Sequence, residues 1–191
     1  MILSDKDIKK YIKEGKIKIK PSPNFKKQLG PCSLDLHLGN IFKIFRPSDY
    51  PYLDLKRKID FEDFMEEIKI KDDAPFILQP KAFVLTTTKE EFHLSNDIIA
   101  RLDGRSSLAR IGVVVHLTAA RFDPGWRGKA VMELGNLGPM PVVLYAGVTR
   151  ICALTFETLS SPAQIPYLKQ KDHAYAKPKS PRASKLNKEL K

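Results

Sequence analysis

Apolar residues along this chain recur in short alternating runs punctuated by Pro, Gly, Asn and Asp. Ser33–Leu38, Ile41–Phe45, Phe76–Leu78, Phe83–Thr88, Val113–Thr118, Lys129–Leu134, Val142–Tyr145 and Arg150–Phe156 each read as a strand. Many short strands with few helices predict an all-β barrel or sandwich. Two segments break the alternation. Ser4 to Glu14 reads as a helix, with Ser4 as N-cap, Ile8, Tyr11 and Ile12 on one face and Gly15 as stop. Ile59 to Ile68 (IDFEDFMEEI) has apolar spacing that suggests an inserted helix. There is no internal repeat.

At 191 residues with 42% hydrophobic composition, the chain is one domain with enough apolar mass for a core. Its apolar stretches are too short and interrupted for a membrane span, and Met1–Asp7 turns charged at once, unlike a secretory leader. A cytoplasmic protein with reduced thiols at Cys32 and Cys152 is expected. The net charge of +11 raises the question of nucleic acid. Residues 169–191 hold eight Lys/Arg against two Asp/Glu, so more than half of the excess lies in a tail. It is not spread along a groove with interleaved aromatics, and no nucleic-acid partner is expected. The organisation read from this is a domain over residues 1–168, followed by a lid and basic tail over 169–191. Lys177 to Lys191, with Pro178 and Pro181 among lysines, reads as mobile, and beyond about Lys179 as solvated and without a role.

Candidate chemistry concentrates between Asp103 and Glu133. Gly104-Arg105-Ser106-Ser107 has the composition of a turn opening into a helix, and Leu108, Ala109, Arg110 and Ile111 continue it to a stop at Gly112. Hydroxyls and a guanidinium at a helix start suit phosphate oxygens, and Ser106 and Arg110, four apart, share a helix face. On the strand that follows, alternation puts Val131, Glu133 and Gly135 on one face and Ala130, Met132 and Leu134 on the other. A carboxylate beside valine and glycine suits a partly buried base of raised pKa. The zinc-site patterns His-x-Glu and Pro-Cys-x-x-Cys are both absent, and no zinc is expected. His37, His93, His116 and His173 lack ligand spacing and read as packing or surface residues.

The run RSSLARIGVVVHLTAARFDPGWRGKAVMELGN resembles the signature of dCTP deaminases, the trimeric relatives of dUTPases. The likeness extends to Ser33–Gly39, Phe83–Thr88, Thr155-Phe156-Glu157 and Leu159–Ala163, and covers roughly residues 1 to 170. It implies a distorted barrel or jelly-roll of the dUTPase-like type with a few short helices, assembled as a homotrimer with sites at subunit boundaries. It implies dCTP as substrate, dUTP and ammonia as products, and dUTP or dTTP as product or inhibitor. The resemblance assigns the catalytic base to Glu133, with Ser106 and Arg110 in support. Arg105, Ser106, Ser107, Leu108, Ala109 and Arg110 would cradle the triphosphate, and Asp123 would meet the deoxyribose. Val131, Met132 and Glu133 would border the base, and Tyr167 would belong to a C-terminal lid. In that lid Lys171 is the lysine assigned to the phosphates, Lys177 is its alternative, and the family's usual Gln has no equivalent.

The mechanism so implied is metal-free at the reacting carbon. Glu133 takes a proton from water attacking C4 and returns protons to N3 and the departing amine. Magnesium would accompany the triphosphate, held by phosphate oxygens and water without a dedicated protein cluster. The alternative is a bifunctional enzyme that continues to dUMP and pyrophosphate. A plain dUTPase and a non-catalytic nucleotide sensor are disfavoured by the joint presence of Ser106, Arg110 and Glu133. Ala119-Ala120-Arg121 looks closer to deaminase-only members and Thr149-Arg150-Ile151 to bifunctional ones.

Overall fold

The computed structural model describes residues 1–46, 52–54, 60–170, 175 and 177–186. The fold is all-β, with eleven strands and short helices among the described residues. In chain order the elements are α1 (Asp5–Lys13), β1 (Ile17–Lys20), α2 (Phe25–Gln28), β2 (Ser33–Phe45), β3 (Met65–Lys69), β4 (Pro75–Leu78), β5 (Phe83–Leu94) and β6 (Ile98–Gly104). They continue with α3 (Ser106–Ala109), β7 (Val113–Val114), β8 (Arg121–Phe122), β9 (Arg127–Asn136), β10 (Val142–Tyr145) and β11 (Arg150–Thr158). One sheet runs β7-β9-β5-β2-β11-β6-β8, with β1 added beside β5 and β3 beside β2, while β4 and β10 pair separately. Every pairing is antiparallel.

The sheet curls because its long strands slip register. β2 and β5 shift between Leu38 and Phe42, and β5 and β9 between Thr87 and Glu91. At the second slip the Thr88 hydroxyl repairs the ladder, accepting from the Ala130 amide at 3.0 Å and donating to the Glu90 carbonyl at 2.7 Å. The curl encloses Leu34, Leu36, Leu38, Phe42, Phe92, Met132, Leu154 and Phe156, all fully buried. A stacked Phe42–Phe76 pair, 3.9 Å between centroids, ties the two-stranded β4–β10 sheet to the main sheet. The buried Glu90 carboxylate is satisfied by the Gln28 side chain at 3.1 Å and by the His37 amide at 2.9 Å, and it also pairs with the His37 ring at 2.6 Å. Burying that charge is tolerable only because all these partners are supplied.

Where the chain begins its first helix, local rules held: the Ser4 hydroxyl accepts from the Asp7 amide, and Gly15 takes φ 75° at the stop. The inserted helix did not form. Phe61–Phe64 makes one 3-10 turn capped by Asp60, and Met65–Lys69 then pairs with Phe45–Ile41 of β2 (Ile59 lies outside the described residues). Its apolar spacing fits both forms, and a free edge of β2 offered a ladder of backbone partners. The strand expected over Val113–Thr118 pairs only at Val113–Val114. Strands β1, β3, β6 and β8, and the short α2, escaped the sequence pattern. Both cysteines are free, Cys32 exposed and Cys152 buried. Among the described residues no helix is long and apolar enough to cross a membrane.

Candidate active site

Glu133 lies in the middle of β9, whose alternation buries Ala130, Met132 and Leu134 and turns Val131 and Glu133 the other way. The chain leaves the sheet after Val114, so the Leu117 amide is free to turn toward this carboxylate and donates to Oε2 at 3.3 Å. Burial pushes the Glu133 carboxyl above the ordinary glutamate range, while the Leu117 bond and the charge of neighbouring His116 oppose that rise. The shortened β7 is therefore part of the site. A full ladder would have spent that amide on a strand partner.

Glu133 borders an apolar cavity of about 450 Å³. Val131, Leu85 and Phe83 line it beside Glu133, with Trp126, Phe122, Asp123 and Tyr167 also facing it. Asp123 accepts from Arg121 Nε at 2.9 Å and so presents an ion-paired carboxylate. The Asp-Pro-Gly turn that carries it also positions Tyr167, whose amide donates to the Pro124 carbonyl at 2.8 Å. Tyr167 lies 5.3 Å from the Trp126 ring, which packs on Phe122 at 4.9 Å. Burial raises the Tyr167 hydroxyl's pKa, which keeps it neutral. Met132 differs from its neighbours: its side chain is wholly in the core, so it can border a ligand only through its backbone.

The α3 segment does not join this cavity within one chain. Ser106, Ser107, Ala109 and Arg110 are exposed and Leu108 is partly buried, and none of them lines it. Gly112 ends the segment at φ 90°, where a Cβ would lie 2.2 Å from the Gly138 nitrogen. Arg105 is engaged by Asp35, which also takes Arg150 Nη1 at 3.2 Å. Its guanidinium is thus held in an ion-paired cluster at the base of α3 instead of projecting freely.

Beyond Tyr167 the chain returns to the cavity, unlike the solvated tail expected past Lys179. Tyr175, Arg182 and Ser184 line it. Ala183 is buried against Phe61 and Met65, its amide donating to Glu62 at 3.0 Å, and the Lys185 amide donates to the Tyr175 hydroxyl at 2.9 Å. Composition alone read a lysine-rich string as solvent-loving; the small Ala183 and the two prolines permit close packing instead. Lys171 lies outside the described residues, and Lys177 is exposed and does not line this cavity. Trp126, Arg121, Tyr175 and Arg182 were missed. The chain's single tryptophan, set inside a turn beside Asp123, was the available signal for the first. Among the described residues no group of three or more His, Cys, Asp or Glu could hold a metal ion.

The sequence profile of the dCTP deaminase-like family matches residues 2–159. The chain belongs to that family. A protein of Thermomicrobium roseum named dCTP deaminase is 50% identical over 190 residues, covering 100% of this chain and 96% of that protein. A protein of Dictyoglomus turgidum named dCTP deaminase, dUMP-forming, is 49% identical over 187 residues, covering 98% of this chain and 95% of its own length. Among solved structures, the 2'-deoxycytidine 5'-triphosphate deaminase of Agrobacterium tumefaciens superposes with a TM-score of 0.64 at 22% identity. That match covers 82% of this chain but 48% of the solved one, and it shows the shared fold.

Proposed function

We propose that this member of the dCTP deaminase-like family hydrolytically deaminates dCTP to dUTP and ammonia in the cytoplasm, with Glu133 as the general base. The observation that carries the reading is a carboxylate of raised pKa on the wall of an apolar cavity large enough for a pyrimidine nucleoside. Ionised Glu133 removes a proton from water as the oxygen bonds to C4, and N3 of the ring gains a proton. The C4–N4 bond then breaks, the amine leaves as ammonia with a proton relayed by Glu133, and the C4 carbonyl forms. Trp126 and Tyr167 offer faces to the nucleoside, and the Asp123 carboxylate can accept from a sugar hydroxyl.

The triphosphate needs cations that this cavity lacks apart from Arg121 and Arg182. We assign it to the Arg105–Arg110 segment of a neighbouring chain in a homotrimer, because that segment stands outside its own chain's cavity. Ser106 and Arg110 of that neighbour would complete the site around Glu133. Magnesium arrives with the substrate, coordinated by phosphate and water. Glu133→Gln keeps the shape but cannot accept the proton. It should lower kcat by far more than tenfold, a barrier increase above about 1.4 kcal/mol, while nucleotide binding persists. Retention of a tenth or more of the wild-type kcat would remove Glu133 from the role of base.

A second reading, further hydrolysis to dUMP and pyrophosphate, is favoured by the dUMP-forming name of the Dictyoglomus turgidum relative. Anion-exchange chromatography of the products formed from dCTP separates the two: dUTP alone supports deamination only, and dUMP with pyrophosphate supports the second.

A further inference from the structure

The outer face where β1, β5 and β9 run side by side carries charge that the candidate active site does not use. Register sets Lys18 opposite His93 and His93 opposite Arg127; two residues on, it sets Lys20 opposite Glu91 and Glu91 opposite Lys129. The two-residue period puts all six side chains on one face, with Ile17, Ile19, Phe92, Leu94 and Ala130 buried on the other. Like charges on neighbouring strands destabilise a sheet, and here four fixed cations share this face with one carboxylate, Glu91, while Asp72 and Glu90 also act on Lys129. Among the described residues none of those four takes part in an ion pair. Burial holds the His93 pKa down, with Arg127, Lys18 and Lys20 pushing the same way against Glu91.

The C-terminal segment adds to this charge. The Lys177 amide donates to the Arg127 carbonyl, and the Lys129 amide to the Pro178 carbonyl, each at 3.1 Å. Gly128 permits that approach: at φ 134° its missing Cβ would lie 2.4 Å from Pro178 Cδ. Two adjoining cavities result, of about 290 and 210 Å³, both lined by Glu91, His93 and Arg127. Lys18 and Lys20 border the first, and Lys177 and Lys179 the second.

We propose that this face binds a small polyphosphate anion, of the chemistry of pyrophosphate, which bridges Lys18, Lys20 and Arg127 on the sheet to Lys177 and Lys179 on the C-terminal segment. Two linked phosphates suit two joined concave sites and relieve the cationic crowding on both elements. Neither cavity is lined by Phe, Tyr or Trp, so nucleic-acid bases would find only the His93 ring and the Arg127 guanidinium to stack on. Tyr175 precedes the clamped residues and Arg182 and Ser184 follow them, and all three line the Glu133 cavity. Anion binding therefore seats a segment whose residues on either side line that cavity.

The test titrates inorganic pyrophosphate into the full chain by calorimetry, beside Lys18→Gln/Lys20→Gln and, as a control for the Glu133 site, Arg110→Ala. Lys18 and Lys20 are exposed and outside the candidate catalytic machinery, so the double variant should fold and turn over dCTP normally when pyrophosphate is absent. Binding weakened about tenfold or more in the double variant and kept in Arg110→Ala is the expected result. Hydrogen exchange at the Lys129 and Lys177 amides should slow when pyrophosphate is added to the wild type. Equal binding by the wild type and the double variant, or loss in Arg110→Ala alone, overturns the site. Unchanged exchange at both amides overturns the clamp. Tighter binding of a single-stranded oligonucleotide than of pyrophosphate, lost in the same double variant, would make the face a nucleic-acid surface and overturn the proposal too.

Discussion

At Glu133 the fold sets the proton affinity of one carboxylate by burial on an apolar wall, and that has a cost the molecule carries at neutral pH. The folded-state pKa is raised above the unfolded value, so between the two values the native chain binds the proton more tightly. Stability therefore falls as pH rises through that window, and the penalty persists above it. Glu133→Gln should melt at a higher temperature than the wild type at pH 7, and this advantage should disappear near pH 4. Differential scanning fluorimetry at equal protein concentration reads both. The same shift moves the acid limb of kcat/KM above the pH at which an ordinary glutamate titrates; a limb at or below that pH would show that burial does not tune the base. Packing at this scale is equally specific. Phe92 is fully buried between Phe122, edge-on at 5.1 Å, and Trp126 at 6.3 Å. Phe92→Ala should cost about 3–5 kcal/mol in chemical denaturation by removing the ring that supports the cavity's aromatic wall.

Among the elements, the C-terminal segment matters most to the site because Tyr167, Tyr175, Arg182 and Ser184 on it line the Glu133 cavity. Truncation after Pro166 removes Tyr167 and everything beyond it, and should raise KM sharply and lower kcat. Truncation after Pro178 leaves Tyr167 and Tyr175 but removes Arg182, Ser184 and the buried Ala183, and should fall between that variant and the full chain. Steady-state kinetics order the three; equal activity in all of them would show that no closure occurs. β7 teaches a related lesson. Its apolar run reads as a six-residue strand, yet only two residues pair, and the unpaired remainder delivers an amide to Glu133. Periodicity reports which face is apolar and is silent on whether a neighbouring strand exists. The helix expected over Ile59 to Ile68 failed for the same reason, since β2 supplied a ladder that local spacing could not announce.

For the whole molecule, the proposed homotrimer would make function a property of the assembly, since no α3 residue lines its own chain's Glu133 cavity. If each site takes Glu133 from one chain and Arg110 from another, Glu133→Gln and Arg110→Ala chains should be inactive alone and regain activity when co-expressed. Random mixing in a trimer restores about a quarter of the sites. Mixed trimers as inactive as either parent would place both residues in one chain's site.

The chain itself determined a good deal. Alternation named the β class and runs that fall in seven of the described strands, two of them in β2 and one realised only at Val113–Val114; the Ser4 and Gly15 signals bounded α1, and the motif around Ser106 to Glu133 indicated the family. Those features are local: period, caps and turn chemistry act within a few residues of sequence. Alternation also placed Val131 and Glu133 on one face with Met132 on the other, because strand geometry enforces a period of two. What tertiary structure alone decided is which surfaces meet. The cavity joins β9 to Phe61 and Met65, to the Asp123 turn and to Tyr175, Arg182 and Ser184, residues far apart along the chain. Proximity of that kind follows from register slips, from one free amide and from the return path of the C-terminus. None of these leaves a periodic trace, because each depends on partners that only the folded chain brings within reach.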